Sequence, residues 1–314
     1  MYLPTNDFLF KKTFSASGQE ALAKALIESI LGREFLDVQL ANPYTIEAYK
    51  AKGKPETTEV DFLAQDIEGR YVTIEMQVHR EPYFLERIHY YAGGVYRKNY
   101  GREKEQIVPH NRYSSLRQVY SINILDFDLF ARDDKEGIRT FVYRDLENAE
   151  VLSDIQPYNG IELTFVSLRN YNISEDERFK HWWSFFRLKP PAEDAPDIVL
   201  QAYAEVDEAN LTEEERKMAD LVQRYQHDFE AAVGTAMYEG EKIGEEKGLK
   251  KGLKKGLEKG IKQGIKQGER NKVHEIVSTM FKNGVSIEVI AQYTNMTVAE
   301  VEKALQVSEF KDLD

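Results

Sequence analysis

Residues 59–78 hold two stretches in which apolar and polar side chains alternate, separated by the turn-forming run Asp66-Ile67-Glu68-Gly69. This pattern is typical of two antiparallel strands joined by a type I turn that ends in a left-handed glycine. A register shifted by one residue would mix the apolar and polar faces, so the pattern fixes which residues face each other. The apolar pairs are Val60 with Met76, Phe62 with Ile74 and Ala64 with Val72, and the mostly polar pairs are Glu59 with Gln77, Asp61 with Glu75, Leu63 with Thr73 and Gln65 with Tyr71.

The predicted register places Asp61 directly opposite Glu75, with Cβ atoms about 4.5–5.5 Å apart. Two like charges in this position destabilise a strand pair unless a divalent cation lies between them. Carboxylate oxygens are ligands that Mg²⁺ and Mn²⁺ prefer, and Mg²⁺ commonly binds only one or two of them. Gln77 lies on the same face, one pleat away, where it can orient a water molecule. The pattern suits metal-assisted attack of water on a phosphodiester, although acids on a solvent-exposed sheet face would give the same spacing.

The remaining periodicity predicts an α/β fold with a helical C-terminal extension. Along the chain the elements are a helix at 19–31, strands at 44–51, 57–66 and 70–79, a helix at 82–104 and a strand at 118–126. Further strands are expected at 139–144 and 161–168, and helices from about 175 onward.

Composition excludes several classes of protein. The 314 residues include no cysteine, which excludes disulfides, thiolate metal sites and a cysteine nucleophile. No apolar run approaches the roughly 18–20 residues that span a bilayer, and the first residues show no secretory pattern. We therefore expect a cytoplasmic protein with no membrane partner. The net charge of −12 argues against a uniformly basic nucleic-acid binder, but residues 240–272 carry a net charge of +6 and residues 80–117 one of +4. Such local basic segments still allow phosphate contacts.

A glycine recurs at every fourth position from Gly240 to Gly268. Each glycine costs a helix about 1 kcal/mol relative to alanine, so an isolated helix would be marginal here. Glycine on every turn would let a second backbone approach closely, which favours a homo-oligomer paired through residues 240–268. A flexible, solvated, lysine-rich linker explains the repeat equally well. Residues 272–306 predict three short helices, with Thr297 and Glu300 in a capping box.

Several segments together resemble the Rpn family of recombination-promoting nucleases and transposases, in the PD-(D/E)XK nuclease superfamily. Asp61, followed by Glu75-Met76-Gln77, is similar to the family's catalytic hairpin, and the opening NDFLFKKTF to its N-terminal signature. The helix ERIHYYAGGVYRKNY, the strand VYSINILDFDLF and the glycine-repeat tail resemble later segments of the family. The resemblance covers residues 1–170 and, more loosely, the tail.

The resemblance implies an αβββαβ restriction-endonuclease-like core and a DNA endonuclease activity that depends on Mg²⁺ or Mn²⁺. By position, Asp61 and Glu75 would bind the metal, and Gln77 would stand where the superfamily usually has a lysine. A neutral amide cannot stabilise a developing oxyanion by charge and is a poor general base, so water activation would rest mainly on the metal. Val60 precedes Asp61 where the superfamily motif has a proline.

We expect four regions in the chain. They are a nuclease core at 1–172, a helical region at 173–238, the glycine-repeat helix or linker at 239–271 and a small helical domain at 272–314.

Three basic residues on the helix after the hairpin are candidates for contacts with DNA phosphates, although solvated helix charges would look the same: Arg87, Arg97 and Lys98. Asp7 either assists the site from the first helix or caps that helix, and we favour the cap; we expect Glu28 to be a solvated acid rather than a metal ligand. Two functions stay open. One is a metal-dependent DNA endonuclease associated with recombination or mobile DNA. The other is a non-catalytic DNA-binding or oligomeric assembly protein that retains the nuclease fold.

Overall fold

The computed structural model describes residues 2–41, 61–155 and 158–309. The chain divides into two compact units, Met1–Asp228 and Phe229–Asp314. No helix within the described ranges is long and apolar enough to cross a membrane.

Helices flank a central sheet in the first unit and make up the described part of the second. In chain order they are α1 Asp7–Ser15, α2 Glu20–Leu31, α3 Phe84–Arg97, α4 Leu152–Ile155, α5 Lys180–Phe186, α6 Asp197–Val206, α7 Glu213–Lys282, α8 Ile287–Thr294 and α9 Val298–Glu309. Helix α2 ends at Gly32, whose left-handed φ of 62° lets its N–H bond back to the carbonyl of Glu28.

The described part of the first unit contains one mixed sheet with the strand order β1-β2-β3-β4-β6-β5. The strands are β1 Val38–Leu40, β2 Phe62–Asp66, β3 Tyr71–Gln77, β4 Val119–Leu125, β5 Ile138–Phe141 and β6 Ile161–Ser167. Strands β1, β2 and β3 are antiparallel neighbours, β3, β4 and β6 are parallel, and β5 is antiparallel to β6. The parallel β3–β4 pair requires a crossover, which α3 supplies. The α/β fold class predicted from the sequence is therefore confirmed.

The β2–β3 hairpin has the predicted turn and register. Gly69 has a φ of 78° and donates its N–H to the Asp66 carbonyl, while the Asp66 N–H bonds the Arg70 carbonyl. The Asp66 carboxylate also accepts the N–H groups of Glu68 and Arg70, which stabilises the turn. The aligned pairs are Phe62 with Ile74, Leu63 with Thr73, Ala64 with Val72 and Gln65 with Tyr71. The predicted pairs of Val60 and Glu59 lie outside the described residues.

Both faces of the sheet are buried. Phe62, Ala64 and Ile74 belong to a large core that includes residues of α1, α2, α5 and α6. The opposite face carries a second core, in which Leu63 and Tyr71 pack with the residues Phe84, Ile88 and Ala92 of α3. The alternative that this side of the hairpin is a solvent-exposed polar face is therefore wrong, because α3 covers the apolar side chains of Leu63 and Tyr71.

Other elements differ from their predicted bounds. The predicted strand at 44–51 lies outside the described residues, and β1 at Val38–Leu40 was not predicted. Helix α3 ends at Arg97 rather than 104, and Gly101 follows with a left-handed φ of 76°. In the glycine-repeat segment the chain is helical, because α7 covers Glu213–Lys282.

The second unit has a small core of its own. Val277, Ile290, Ala291 and Val301 are its buried members. The predicted capping box is present at the start of α9, where Glu300 accepts the Thr297 N–H at 2.8 Å and the Thr297 hydroxyl accepts the Glu300 N–H at 3.3 Å.

Candidate functional site

Asp61 lies immediately before β2, next to the last aligned residues of the hairpin. Its carboxylate accepts the backbone N–H of Met76 at 2.6 Å, so the side chain ties the end of β3 to the start of β2. The other carboxylate oxygen lies 3.2 Å from the Lys11 ammonium of α1. Only 15% of the Asp61 side chain is exposed. Asp61 is therefore a largely buried acid held by one backbone donor and one cation.

Ile74 of β3 aligns with Phe62 of β2. Glu75 follows Ile74 and Asp61 precedes Phe62, so the two acids are the next pair towards the open end of the hairpin. The Glu75 side chain is 9% exposed, and one oxygen lies 3.7 Å from a guanidinium nitrogen of Arg87 on α3. Two helices from opposite faces of the sheet thus each bring one cation to the two acids, Lys11 to Asp61 and Arg87 to Glu75.

Both acids hold protons more tightly than ordinary carboxyls. Burial raises the pKa of Glu75 to about 7, and repulsion from Asp61 adds to the rise while Arg87 opposes it. Burial also raises the pKa of Asp61 to about 6, against the lowering effect of Lys11. Phe62 aligns with Ile74, so the adjacent residues Asp61 and Glu75 lie on neighbouring strands, where their charges repel each other. A cation between them would favour the ionised form of both.

Lys11 is a member of this site that the sequence patterns did not single out. Its ammonium also lies 2.7 Å from the Asp7 carboxylate. Burial alone would lower the pKa of Lys11, but Asp61 and Asp7 raise it above its usual range. All the apolar side chains of α1 are in the core. A lysine on such a largely buried helix is expected to pair with acidic side chains.

The N-terminal acids have other roles than predicted. Asn6, not Asp7, is the N-cap of α1, because its side-chain oxygen accepts the N–H groups of Phe8 and Leu9. The prediction of Asp7 as a cap is therefore wrong. Glu28 is partly buried rather than solvated: its carboxylate accepts the Phe35 N–H at 2.7 Å, and Lys24 lies 3.7 Å away.

Gln77, the last residue of β3, is bonded at both ends of its amide. Its oxygen accepts a hydrogen bond from Arg87 at 2.5 Å, and its nitrogen donates to the carbonyl of His79 at 3.3 Å. The Gln77 amide turns its oxygen, not its nitrogen, towards Arg87, since a guanidinium can only donate hydrogen bonds. Arg87 also forms an ion pair with Glu81.

The other two basic candidates lie at the far end of α3. Lys98 follows Arg87 by eleven residues, about 16 Å along a helix and on nearly the same side. Its ammonium lies over the ring of Tyr71, 5.8 Å from the centroid. Arg97 is exposed, and its Nε donates to the Gly93 carbonyl. Arg87, Arg97 and Lys98 therefore lie on one helix that runs beside β3.

The donor set fits a divalent metal of the magnesium class. Asp61 and Glu75 supply hard carboxylate oxygens, and two carboxylates are the number that Mg²⁺ usually takes from a protein. Burial raises the pKa values of both acids, and such an ion would favour their ionised forms. Among the described residues there is no cluster of three or more histidine, aspartate or glutamate side chains able to hold a metal. Water and substrate oxygens would have to complete the coordination.

The chain is similar to a known protein family. The family described as PD-(D/E)XK nuclease family transposase matches residues 4–236, about three quarters of the chain. The matched segment contains α1, the whole sheet and α3, and therefore every residue of the site above. Searches of curated proteins and of solved structures gave no match.

Proposed function

The chain belongs to the PD-(D/E)XK nuclease family transposases, and from that premise we propose that it is a metal-dependent DNA endonuclease acting in recombination or on mobile DNA. The observation that carries the proposal is the pair of buried, mutually repelling carboxylates, Asp61 and Glu75, beside the open end of one hairpin. Family membership supports a nuclease-like function, and the carboxylate pair supports its dependence on a metal.

Asp61 and Glu75 are the residues that would hold Mg²⁺ or Mn²⁺. When bound, such an ion supplies a lowered pKa for a coordinated water and a positive charge beside the phosphate. In the reaction, water oxygen forms a bond to phosphorus, the bond from phosphorus to one sugar oxygen breaks, and one water proton ends on that leaving oxygen.

The surrounding residues prepare the two acids for this work. Lys11 and the Met76 N–H fix the orientation of the Asp61 carboxylate, because they bond to its two different oxygens. Burial beneath α3 keeps bulk water from Glu75, which strengthens every electrostatic interaction in the site. Arg97 and Lys98 would bind DNA phosphates farther along α3 and so position the strand.

The test is nicking of supercoiled plasmid, with Mg²⁺ and with EDTA, by the wild type and by the variants Asp61→Asn and Glu75→Gln. We expect cleavage that requires the metal and falls at least about 100-fold in each variant, the scale of losing a group that stabilises the reacting charges. Wild-type activity in either variant, or equal cleavage in EDTA, would contradict the proposal.

Two matched controls separate chemistry from folding. Asp66→Asn removes a buried aspartate from the other end of β2, where it pairs with Arg70. Glu162→Gln removes a mostly buried glutamate from β6, where it pairs with Arg33 at 3.1 Å. Both controls remove an ion-paired acid outside the site, so we expect cleavage close to the wild-type rate at a temperature where all proteins are folded.

A second candidate function is favoured by α7. Five apolar side chains follow successive glycines on this helix and are 54–75% exposed: Leu249, Leu253, Leu257, Ile261 and Ile265. Such a row is unusual on an isolated helix and would be covered if α7 paired with a second copy. We propose a homo-oligomer formed through residues 240–268. If the carboxylate variants prove unimportant, a non-catalytic DNA-binding or assembly protein would be the better description.

A further inference from the structure

The charges of the site leave one requirement that the carboxylates and a metal do not meet. Two carboxylates and one divalent ion sum to zero, whereas a phosphodiester gains negative charge as water attacks it. Stabilising that charge needs a fixed positive group that faces the phosphate. The chain brings two cations to the acids, Lys11 and Arg87.

Lys11 is already committed to carboxylates. Its ammonium is 2.7 Å from Asp7 and 3.2 Å from Asp61. An ammonium has only three N–H donors, and these two carboxylates engage it directly, so Lys11 serves to hold the Asp61 side chain in place. It is therefore the less suitable partner for a phosphate.

Arg87 is held differently. One terminal nitrogen is bonded to the Gln77 oxygen and lies 3.7 Å from Glu75, an ion-pair distance but beyond hydrogen-bonding range. The other terminal nitrogen pairs with Glu81. The buried Nε has no hydrogen-bond partner among the described residues. Each terminal nitrogen carries two N–H groups, so the guanidinium keeps donor capacity beyond these bonds while its plane is fixed.

The local packing also restrains Arg87. Its guanidinium carbon lies 5.8 Å from the centroid of the Phe84 ring, one turn earlier on α3. Phe84 is itself buried and in edge contact with Phe127. About 28% of the Arg87 side chain is exposed, so part of it is accessible from solvent.

We propose that Arg87 is a catalytic residue whose guanidinium contacts the scissile phosphate, and that Gln77 is the positioning residue that holds it there. The inference rests on the proposed nuclease function. A guanidinium is charged at every physiological pH and presents several donors in one plane, which matches the oxygens of a phosphate. Gln77, with both ends of its amide engaged, acts through Arg87 rather than on water.

The experiment measures plasmid nicking and the binding of Mg²⁺ alone by calorimetry, for the full chain and four variants. These are Arg87→Gln, Gln77→Lys, the double variant Gln77→Lys/Arg87→Gln, and the control Arg33→Gln. Arg33 is a close match, because it pairs with the mostly buried Glu162 and lies 5.2 Å from the centroid of the Tyr120 ring, away from the site.

We expect Arg87→Gln to lower the cleavage rate about 100-fold or more, as loss of a charge-stabilising donor does. We expect the same variant to bind Mg²⁺ as tightly as the wild type or up to about threefold more tightly, because a competing cation is gone. An ammonium introduced at position 77 restores a positive charge beside Glu75, so the double variant should recover about tenfold over Arg87→Gln alone. Arg33→Gln should cleave at the wild-type rate.

The outcomes separate this inference from the function on which it rests. If Arg87→Gln cleaves within about threefold of the wild type while Asp61→Asn and Glu75→Gln are inactive, the role of Arg87 is wrong and the nuclease function stands. Loss of cleavage together with weaker Mg²⁺ binding and no recovery in the double variant indicates a structural role and also overturns it. A wild type that cleaves nothing with Mg²⁺ contradicts both.

Discussion

The two acids of the site are stabilised by partners that do not fully offset the cost of burying them. Among the described residues, Asp61 bonds with Lys11 and a backbone N–H, whereas Glu75 forms an ion pair with the more distant Arg87. Burying an ionised carboxylate costs more free energy than such partial pairing returns. The burial cost of Glu75 is less fully offset by a nearby cation than that of Asp61, so ionised Glu75 lowers the free energy of unfolding.

Without metal, we expect the stability of the protein to fall as the pH rises from about 4.5 to about 7. The folded pKa of Glu75, about 7, lies above its ordinary value of 4.5, so in this window the folded state binds more protons than the unfolded state. The stabilising proton is lost as the pH passes the folded value. Glu75→Gln removes this loss and should raise the free energy of unfolding at pH 8 by on the order of 2 kcal/mol. Denaturant unfolding at pH 5 and pH 8 measures the difference.

The matched comparison is Glu162→Gln, which breaks the ion pair with Arg33 and should lower stability at pH 8 rather than raise it. Added Mg²⁺ should stabilise the wild type at pH 8 and leave Glu75→Gln little changed, because the ion binds only the folded site. A Glu75→Gln variant that is less stable than the wild type at pH 8 without metal would contradict the account of this residue.

At the scale of elements, the β2–β3 hairpin decides where the acids point. Side chains alternate between the faces of a strand, so a slip of one residue would move Glu75 from the α3 side to the core beneath α1. The turn at residues 66–70 prevents the slip, and Gly69 is its most constrained position. Its φ is 78°, and a Cβ atom there would lie 3.2 Å from the Arg117 side chain.

We expect Gly69→Ala to lower the free energy of unfolding by about 1–2 kcal/mol, because an L-residue in the left-handed region carries that cost. Gly94→Ala is the matched control: Gly94 lies within α3, and a Cβ atom there would meet nothing within 4 Å. Its replacement should raise stability by up to about 1 kcal/mol through helix propensity. Equal effects of the two substitutions in thermal or denaturant unfolding would show that the turn conformation does not matter.

The hairpin was predictable because its information is local. Alternation fixed the facing pairs, and Asp66 to Gly69 fixed the turn, so the neighbourhood of Asp61 and Glu75 followed from residues 59–78 alone. Lys11 and Arg87 could not be placed in this way. Their helices pack on opposite faces of the sheet, and no periodicity states which turn of a helix will face the end of a strand.

Two predictions are wrong for different physical reasons. The pairs of Leu63 and Tyr71 were read as a mostly polar face, but their apolar surface is buried under α3. Asp7 was predicted to cap α1, but Asn6 stands one residue earlier and takes both bonds. Tertiary packing decides the first case, whereas the second is decided locally, because an asparagine oxygen one residue earlier reaches the same N–H groups.

At the scale of the whole chain, the charge is unevenly distributed, and the glycine-repeat segment exposes a row of apolar side chains. The net charge is −12 overall but +6 within residues 240–272, where α7 carries its glycine repeat. On an ideal helix a four-residue repeat advances by about 40° at each step, so the exposed apolar row winds slowly around α7. A glycine beside each apolar residue leaves the helix surface low enough for a second helix to approach.

The homo-oligomer can be tested in the full chain without deleting α7. Leu253→Glu/Leu257→Glu adds two charges to the exposed apolar row, and Gln263→Glu/Gln267→Glu adds the same two charges to polar positions of the same helix. We expect light scattering to give the wild type and the Gln263/Gln267 variant at least twice the mass of one chain. The Leu253/Leu257 variant should fall towards the mass of one chain, because burying a carboxylate in an apolar helix interface is unfavourable. A wild type with the mass of one chain, or equal masses for both variants, would favour a solvated, unpaired helix at residues 240–268.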